Sequence, residues 1–260
     1  ELKDLKGCKK IAIDLETNDP NLKDLGSGNV AGEGHIAGIA VAVEGWSGYF
    51  PVHHEQGGNM DKKLVFSWLQ NILNQVDTTF IFHNAMYDVC WLRKEGLSIK
   101  GHIVDTMIAA SLIDENRLSY QLNTLAKHYV GIGKDEKILL EAAKDYGLDA
   151  KKDMWQLPAQ EVGAYAEKDA SLTFKLWQHV KNLMIENDSS LFRVDVENYN
   201  GPLEILLDLA KTQKVNLAEI SITKLADQFL DFIKNNENLN LETASEHLLM
   251  ATWLAYLKSK

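Results

Sequence analysis

The strongest constraint on this chain is one short stretch, Ile11-Ala12-Ile13-Asp14-Leu15-Glu16-Thr17, where an apolar β-forming run ends in two carboxylates spaced i, i+2. Side chains on an extended strand alternate faces with a period of two, so Asp14 and Glu16 point the same way. Like charges side by side repel, and a divalent metal ion between them is the economical remedy. A fold built on this stretch therefore has to gather further ligands at the end of one strand.

Two later segments supply acids in matching settings. Phe82-His83-Asn84-Ala85-Met86-Tyr87-Asp88 places Asp88 one turn into a helix that leaves a strand end. Tyr165-Ala166-Glu167-Lys168-Asp169 sets Tyr165 and Asp169 four residues apart, on one helical face. Asp14, Glu16, Asp88 and Asp169 together are the hard oxygen donors that a pair of Mg2+ or Mn2+ ions requires. Singly, each has a bland reading: a solvated strand end, a surface pair, or a first-turn acid favoured by the helix dipole. Their order and their element types, taken jointly, make the site. Asp105 reads instead as a cap for the helix after it. His53-His54 has no matching Cys or His cluster and reads as solvent-exposed. Cys90 falls on the inner side of its helix and reads as core, and Trp46, Trp68, Trp91, Trp155 and Trp177 read as packing residues.

The periodicities surround this stretch with an α/β arrangement. Residues 18–35 are rich in turn formers and read as a loop. Strands are expected at 35–44 and 49–52, joined by the turn Gly45-Trp46-Ser47-Gly48, and at 78–83 and 99–104. Helices are expected at 61–75 (with Leu64, Val65, Trp68, Leu69 and Ile72 on one side), 84–95, 105–113, 120–130 and 135–146, and from Pro158 onward. The polar run 186–190 reads as a turn-prone boundary. Beyond it, 192–196 alternates like a short strand and three amphipathic helices follow. Pro202 begins the first, Ser221 caps the second, whose stripe is Leu225, Phe229, Phe232 and Ile233, and Asn240 caps the third.

Composition adds exclusions. The 260 residues are 45% hydrophobic and 25% charged, as in an ordinary globular protein. A net charge of -10 provides no global field to attract nucleic acid, which weakens a nucleic-acid reading without excluding it, because metal ions in a carboxylate site supply local positive charge. Two cysteines, Cys8 and Cys90, make no disulfide framework, and no apolar run approaches the roughly 18 residues of a membrane span. With no signal peptide visible, a cytoplasmic setting is expected. Both ends look cut, which suggests a piece of something longer.

Asp14-Leu15-Glu16, then Asn84-xxx-Asp88, then Tyr165-xxx-Asp169 resembles the DEDDy branch of the DnaQ-like 3′→5′ exonucleases. Asp105-Thr106-Met107 and Leu122-Asn123-Thr124-Leu125-Ala126 are similar to the proofreading domain of phage-type family A DNA polymerases. The likeness covers about residues 1–183, with a domain expected at 1–186. It implies a ribonuclease H-like mixed sheet flanked by helices and two-metal hydrolysis of single-stranded or frayed DNA 3′ ends to nucleoside 5′-monophosphates. It further implies that Asp14, Glu16 and Asp169 hold one metal, that Asp14 bridges to the second, and that Asp88 contributes through water. Tyr165 would orient the attacking water, and Thr17 and Asn84 would position the terminal nucleotide. An RNase D-like exoribonuclease shares these motifs and is the RNA-directed alternative.

Residues 191–260 resemble something else. Tyr199-Asn200-Gly201-Pro202-Leu203 through Leu209, then Val215-Asn216-Leu217-Ala218-Glu219-Ile220-Ser221-Ile222, is similar to the N-terminal domain of the bacterial kleisin ScpA. That likeness implies a small, mainly helical domain docking on the coiled coil of an SMC ATPase, a chromosome-segregation role in which the nuclease fold would be a passenger. From Leu248 to Leu257 the third helix is apolar nearly all round, which suits a partner groove, with Leu249 and Leu254 as the positions to probe.

Overall fold

The computed structural model describes residues 2–259 except 135, 198, 213 and 236–240. The chain divides into two compact units, Glu1–Asn182 and Leu183–Lys260, the boundary falling inside a long helix.

The first unit runs β1 (Lys10–Asn18), two one-turn helices α1 (Leu22–Leu25) and α2 (Gly28–Ala31), β2 (His35–Val43), β3 (Trp46–Pro51), α3 (Lys62–Leu73), β4 (Thr79–Phe82), α4 (Ala85–Lys94), β5 (His102–Asp105), α5 (Thr106–Ile113), α6 (Leu122–Leu125), α7 (Lys137–Tyr146) and α8 (Ala159–Ser190). The sheet order is β3-β2-β1-β4-β5. β1 pairs antiparallel with β2 and parallel with β4, and β4 pairs parallel with β5. This is the expected mixed sheet flanked by helices.

The alternation within β1 decides which helix meets which face. Ile11, Ile13 and Leu15 enter one core with Val65, Leu69 and Leu73 of α3 and Val89 and Leu92 of α4. Ala12, one step out of phase, lies on the other face with Ala40, Ala42 and Ile81, against Val162, Ala166 and Ala170 of α8. Alanine on both sides of that contact lets the helix approach the sheet closely. Asp14 and Glu16 are in step with Ala12, so the same periodicity puts them on the α8 side.

Several expectations change. Residues 18–35 hold α1 and α2 as well as loop, and Lys94 Nζ donates to the carbonyls of Gly28 (3.2 Å), Glu33 (2.8 Å) and Gly34 (3.4 Å). Leu64 is 58% exposed, because the buried stripe of α3 runs through Val65, Leu69, Ile72 and Leu73 instead. Cys90 is only half-buried. The polar run 186–190 is helical, the last turns of α8.

The second unit opens with a hairpin, β6 (Arg193–Val196) and β7 (Tyr199–Pro202), followed by α9 (Leu203–Lys211), α10 (Ile222–Asn235) and α11 (Leu241–Lys258). β7 was not expected, since Asn200-Gly201-Pro202 has little β-propensity. It survives as an edge strand with Pro202 at its end, where the missing N–H costs no ladder bond. Phe192, Val194, Val196, Leu203, Leu206, Leu225, Phe229 and Leu254 form the core. Ser221 caps α10, its Oγ accepting from Lys224 N at 3.2 Å. Ile233 departs from the expected stripe and is 40% exposed. Asn240 lies outside the described residues.

On α11, Leu254 is fully buried, whereas Leu248, Leu249, Trp253 and Tyr256 are about half exposed. Leu254 therefore belongs to the core and is no probe of a docking face.

Candidate active site

The site grows from the second half of β1. Glu16 pairs with Gly38 of β2, and Thr17 then pairs with Ile36, so the register slips by one residue just past the carboxylates. The extra residue, Ala37, turns its carbonyl to Val52 N (2.8 Å) and His53 N (2.9 Å). Such a bulge twists the strand and re-aims the side chains beyond it. A Cβ on Gly38 would come within 2.1 Å of the Tyr49 hydroxyl, so glycine is what admits the Tyr49 ring over this part of β2. That hydroxyl meets His54 Nε2 at 2.6 Å, and His54 Nδ1 meets the Leu157 carbonyl at 2.9 Å. A carbonyl only accepts, so Nδ1 carries the proton and Nε2 accepts from Tyr49. Burial lowers the His54 pKa, in keeping with a neutral ring. His54, expected at the surface, is thus a buried strut, 3% exposed.

Asp88 arrives from the first turn of α4. That helix starts sharply after β4 because Asn84 takes a left-handed conformation (φ 67°, ψ 56°), the one positive φ among described non-glycine residues. Asp105 holds the turn, accepting from Asn84 N (3.1 Å) and Ala85 N (2.7 Å), and also caps α5 through Met107 N (2.8 Å). Its expected structural role is doubled: one carboxylate caps two helices. Asp88 is 4% exposed, and its Oδ1 accepts from Leu15 N at 3.2 Å, between Asp14 and Glu16 in sequence.

Tyr165 and Asp169 come from one face of α8. Asp169 is 5% exposed, and its Oδ2 pairs with Lys134 Nζ, while its buried Oδ1 has no hydrogen-bond partner among the described residues. Lys134 Nζ also donates to the Tyr165 hydroxyl at 3.2 Å.

The electrostatics show that these groups share one space. Loss of hydration, then the charge of Asp169, raises the Asp14 pKa to about 7, with Lys134 pulling back. Glu16 is pushed well above the carboxylate range by loss of hydration, then by Asp14 and Asp169. Asp88 is raised by loss of hydration and by Asp14, against the bond from Leu15 N. Loss of hydration also raises Asp169, opposed by Lys134. The Tyr165 hydroxyl is pushed up by loss of hydration and then by Asp169, so it stays protonated.

The fold therefore brings together Asp14, Glu16, Asp88, Tyr165 and Asp169. Thr17 faces the other way, its Oγ1 2.7 Å from the Tyr87 hydroxyl, which in turn donates to Asp19 Oδ2 at 3.0 Å. Asn84 lines an open cleft with His83, Tyr120, Asn123, Lys134 and Lys151. Sequence reasoning missed Lys134, Tyr49 and His83. No residue spacing announced Lys134, which reaches the site from the loop before α7. His83 is held at about pKa 4 by burial and meets Thr106 Oγ1 at 2.8 Å.

Crowded carboxylates and an orphaned carboxylate oxygen form a donor set that fits a hard divalent cation. Among the described residues no three such side chains converge at ligand spacing, and the Lys134 ammonium supplies the local positive charge.

Residues 2–185 match the family described as 3'-5' exonuclease, and residues 209–260 match the family of segregation and condensation protein ScpA. A DNA-directed DNA polymerase of Pseudomonas phage M6 is 39% identical over 189 residues, covering 70% of this chain and 28% of the polymerase. A segregation and condensation protein A of Mycoplasma mobile is 42% identical over 69 residues, covering 26% of this chain and 28% of that protein. The chain thus spans under a third of the length of either relative. Brucella melitensis NrnC bound to pGG matches with a TM-score of 0.50 at 15% identity, over 70% of this chain and 76% of that one, a likeness of fold.

Proposed function

This chain belongs to the 3′-5′ exonuclease family, and from that premise we propose that residues 1–186 form a domain that trims single-stranded or frayed DNA 3′ ends to nucleoside 5′-monophosphates with two Mg2+ or Mn2+ ions. Four acids gathered around the end of β1 and acting on one another's charge, with Tyr165 on the same face of α8 as Asp169, carry this reading. Bound divalent ions supply charge that eases deprotonation of water and offsets charge on the scissile phosphate and leaving oxygen. Asp14, Glu16 and Asp169 would hold one ion, Asp14 would also serve the other, and Asp88 would contribute through water. Tyr165, kept protonated, orients the attacking water by hydrogen bonding. Asn84 at the cleft positions the terminal nucleotide, whereas Thr17, turned to Tyr87, braces the strand end. Attack at phosphorus expels the 3′ oxygen of the preceding nucleotide, leaving the 5′-monophosphate.

Comparing deoxyribo- and ribo-oligomers of equal length, with Mn2+ and then with EDTA, tests substrate and cofactor together. Divalent-dependent loss of DNA supports the reading, and preference for RNA replaces it with the RNase D-like one. Activity should also rise from pH 6 to 9.

For residues 191–260 we propose a kleisin N-terminal domain that docks on an SMC coiled coil. The half-exposed Leu248, Leu249, Trp253 and Tyr256 on α11 favour it. An SMC neck fragment should be retained by the full chain and lost with Leu249→Asp. Equal retention by that variant refutes the face.

A further inference from the structure

The cation among these acids is Lys134. Its side chain is 13% exposed and that of Asp169 is 7%, so the pair sits inside the site rather than on its rim. The loop that carries it is tied from below, Lys134 N donating to Asn123 Oδ1 at 2.9 Å. The ammonium donates to the Tyr165 hydroxyl at 3.2 Å and lies 5.1 Å from the centre of that ring. One positive charge thus touches both side chains that α8 contributes and acts on Asp14 and Glu16 through space. Lysine presents a compact point charge on a flexible stem, the side chain best able to take a small cation's place and to leave again.

Resting on the metal-site reading above, we propose that Lys134 is a positioning residue that stands in for the divalent ion, and that an ion entering at Asp169 must displace it. The ammonium keeps Asp169 and Tyr165 aligned while the site is empty of metal, and its departure opens the carboxylate oxygen it occupies. Metal binding is then a cation exchange. Removing the lysine charge should tighten metal binding even though it loosens the metal-free site. Removing a lysine that merely braces the fold would loosen the site without tightening metal binding, because bracing has no competitor.

The test is Mn2+ titrated into the full metal-free chain, followed by calorimetry, for the parent, Lys134→Gln and Lys134→Arg. Lys134→Gln should bind about fivefold tighter or more, the scale of a largely shielded ion pair that no longer has to be broken. Lys134→Arg, which keeps the charge, should bind no tighter than the parent. Circular dichroism checks folding, and Lys134→Met serves if the glutamine variant unfolds. Unchanged or weaker binding by a folded, charge-free variant overturns the proposal. Asp14→Asn and Asp169→Asn separate the two levels. If they bind Mn2+ as the parent does, or the parent binds none, the metal site is wrong and the lysine proposal falls with it. If they lose Mn2+ while Lys134→Gln gains nothing, only the lysine proposal fails.

Discussion

Asp14→Asn gives a stability effect whose sign reverses with metal. In the metal-free protein the Asp14 carboxyl titrates near 7 instead of 3.8, chiefly because it is shielded from water and secondly because Asp169 is near. A raised carboxyl pKa means that the folded state holds the proton more tightly than the unfolded state. That contribution is full below about pH 4 and is lost as pH rises through about 7. Three pH units at about 1.4 kcal/mol each set an upper bound of about 4 kcal/mol. Water reaching the half-buried side chain screens part of this, leaving about 2 kcal/mol. For a unit of this size that is a shift of about 4–8 °C in melting midpoint. Thermal unfolding in EDTA should therefore find Asp14→Asn close to the parent at pH 4.5 and several degrees more stable at pH 8. With excess Mg2+ at pH 8 the parent should gain and the variant should not, because the ion needs the charge that the metal-free fold tolerates poorly. A difference between variant and parent that does not change with pH refutes the reasoning.

Asp169→Asn should lower exonuclease turnover by at least about 10³-fold, measured with a single-stranded oligomer, since it removes a charge proposed to hold the metal, worth several kcal/mol in the transition state. Gly38→Ala should cost about 1–3 kcal/mol by thermal melting, because its Cβ forces Tyr49 off His54. Leu254→Ala should cost about 2–5 kcal/mol as a core truncation, whereas Leu249→Ala, on the exposed side of the same helix, should stay within about 0.5 kcal/mol by urea unfolding.

The parts of the site legible in the sequence were those set by local periodicity. A period of two put Asp14 and Glu16 on one strand face, and a four-residue step put Tyr165 and Asp169 on one helix face. What local periodicity cannot carry was missed. His54 read as an exposed histidine because its partners, Tyr49 and the Leu157 carbonyl, come from a neighbouring strand and from 103 residues downstream. Asp105 showed one capping role, since its second, at the start of α4, depends on β5 lying beside β4. Lys134 carried no signal at all, being a loop residue whose reach is set by the anchor at Asn123. The polar run 186–190 misled because a run of polar residues suits the end of a helix as well as a turn.

In the proposed function the four acids around the end of β1 serve a metal-dependent nuclease acting from the 3′ end. A single-stranded DNA oligomer labelled at its 5′ end or its 3′ end, incubated with Mg2+ or Mn2+, tests it most directly. The 5′ label should give a descending ladder, the 3′ label immediate release of a labelled mononucleotide, and EDTA or Asp14→Asn no product. Degradation that starts at the 5′ end, or that survives EDTA and the Asp14 substitution in a clean preparation, contradicts it.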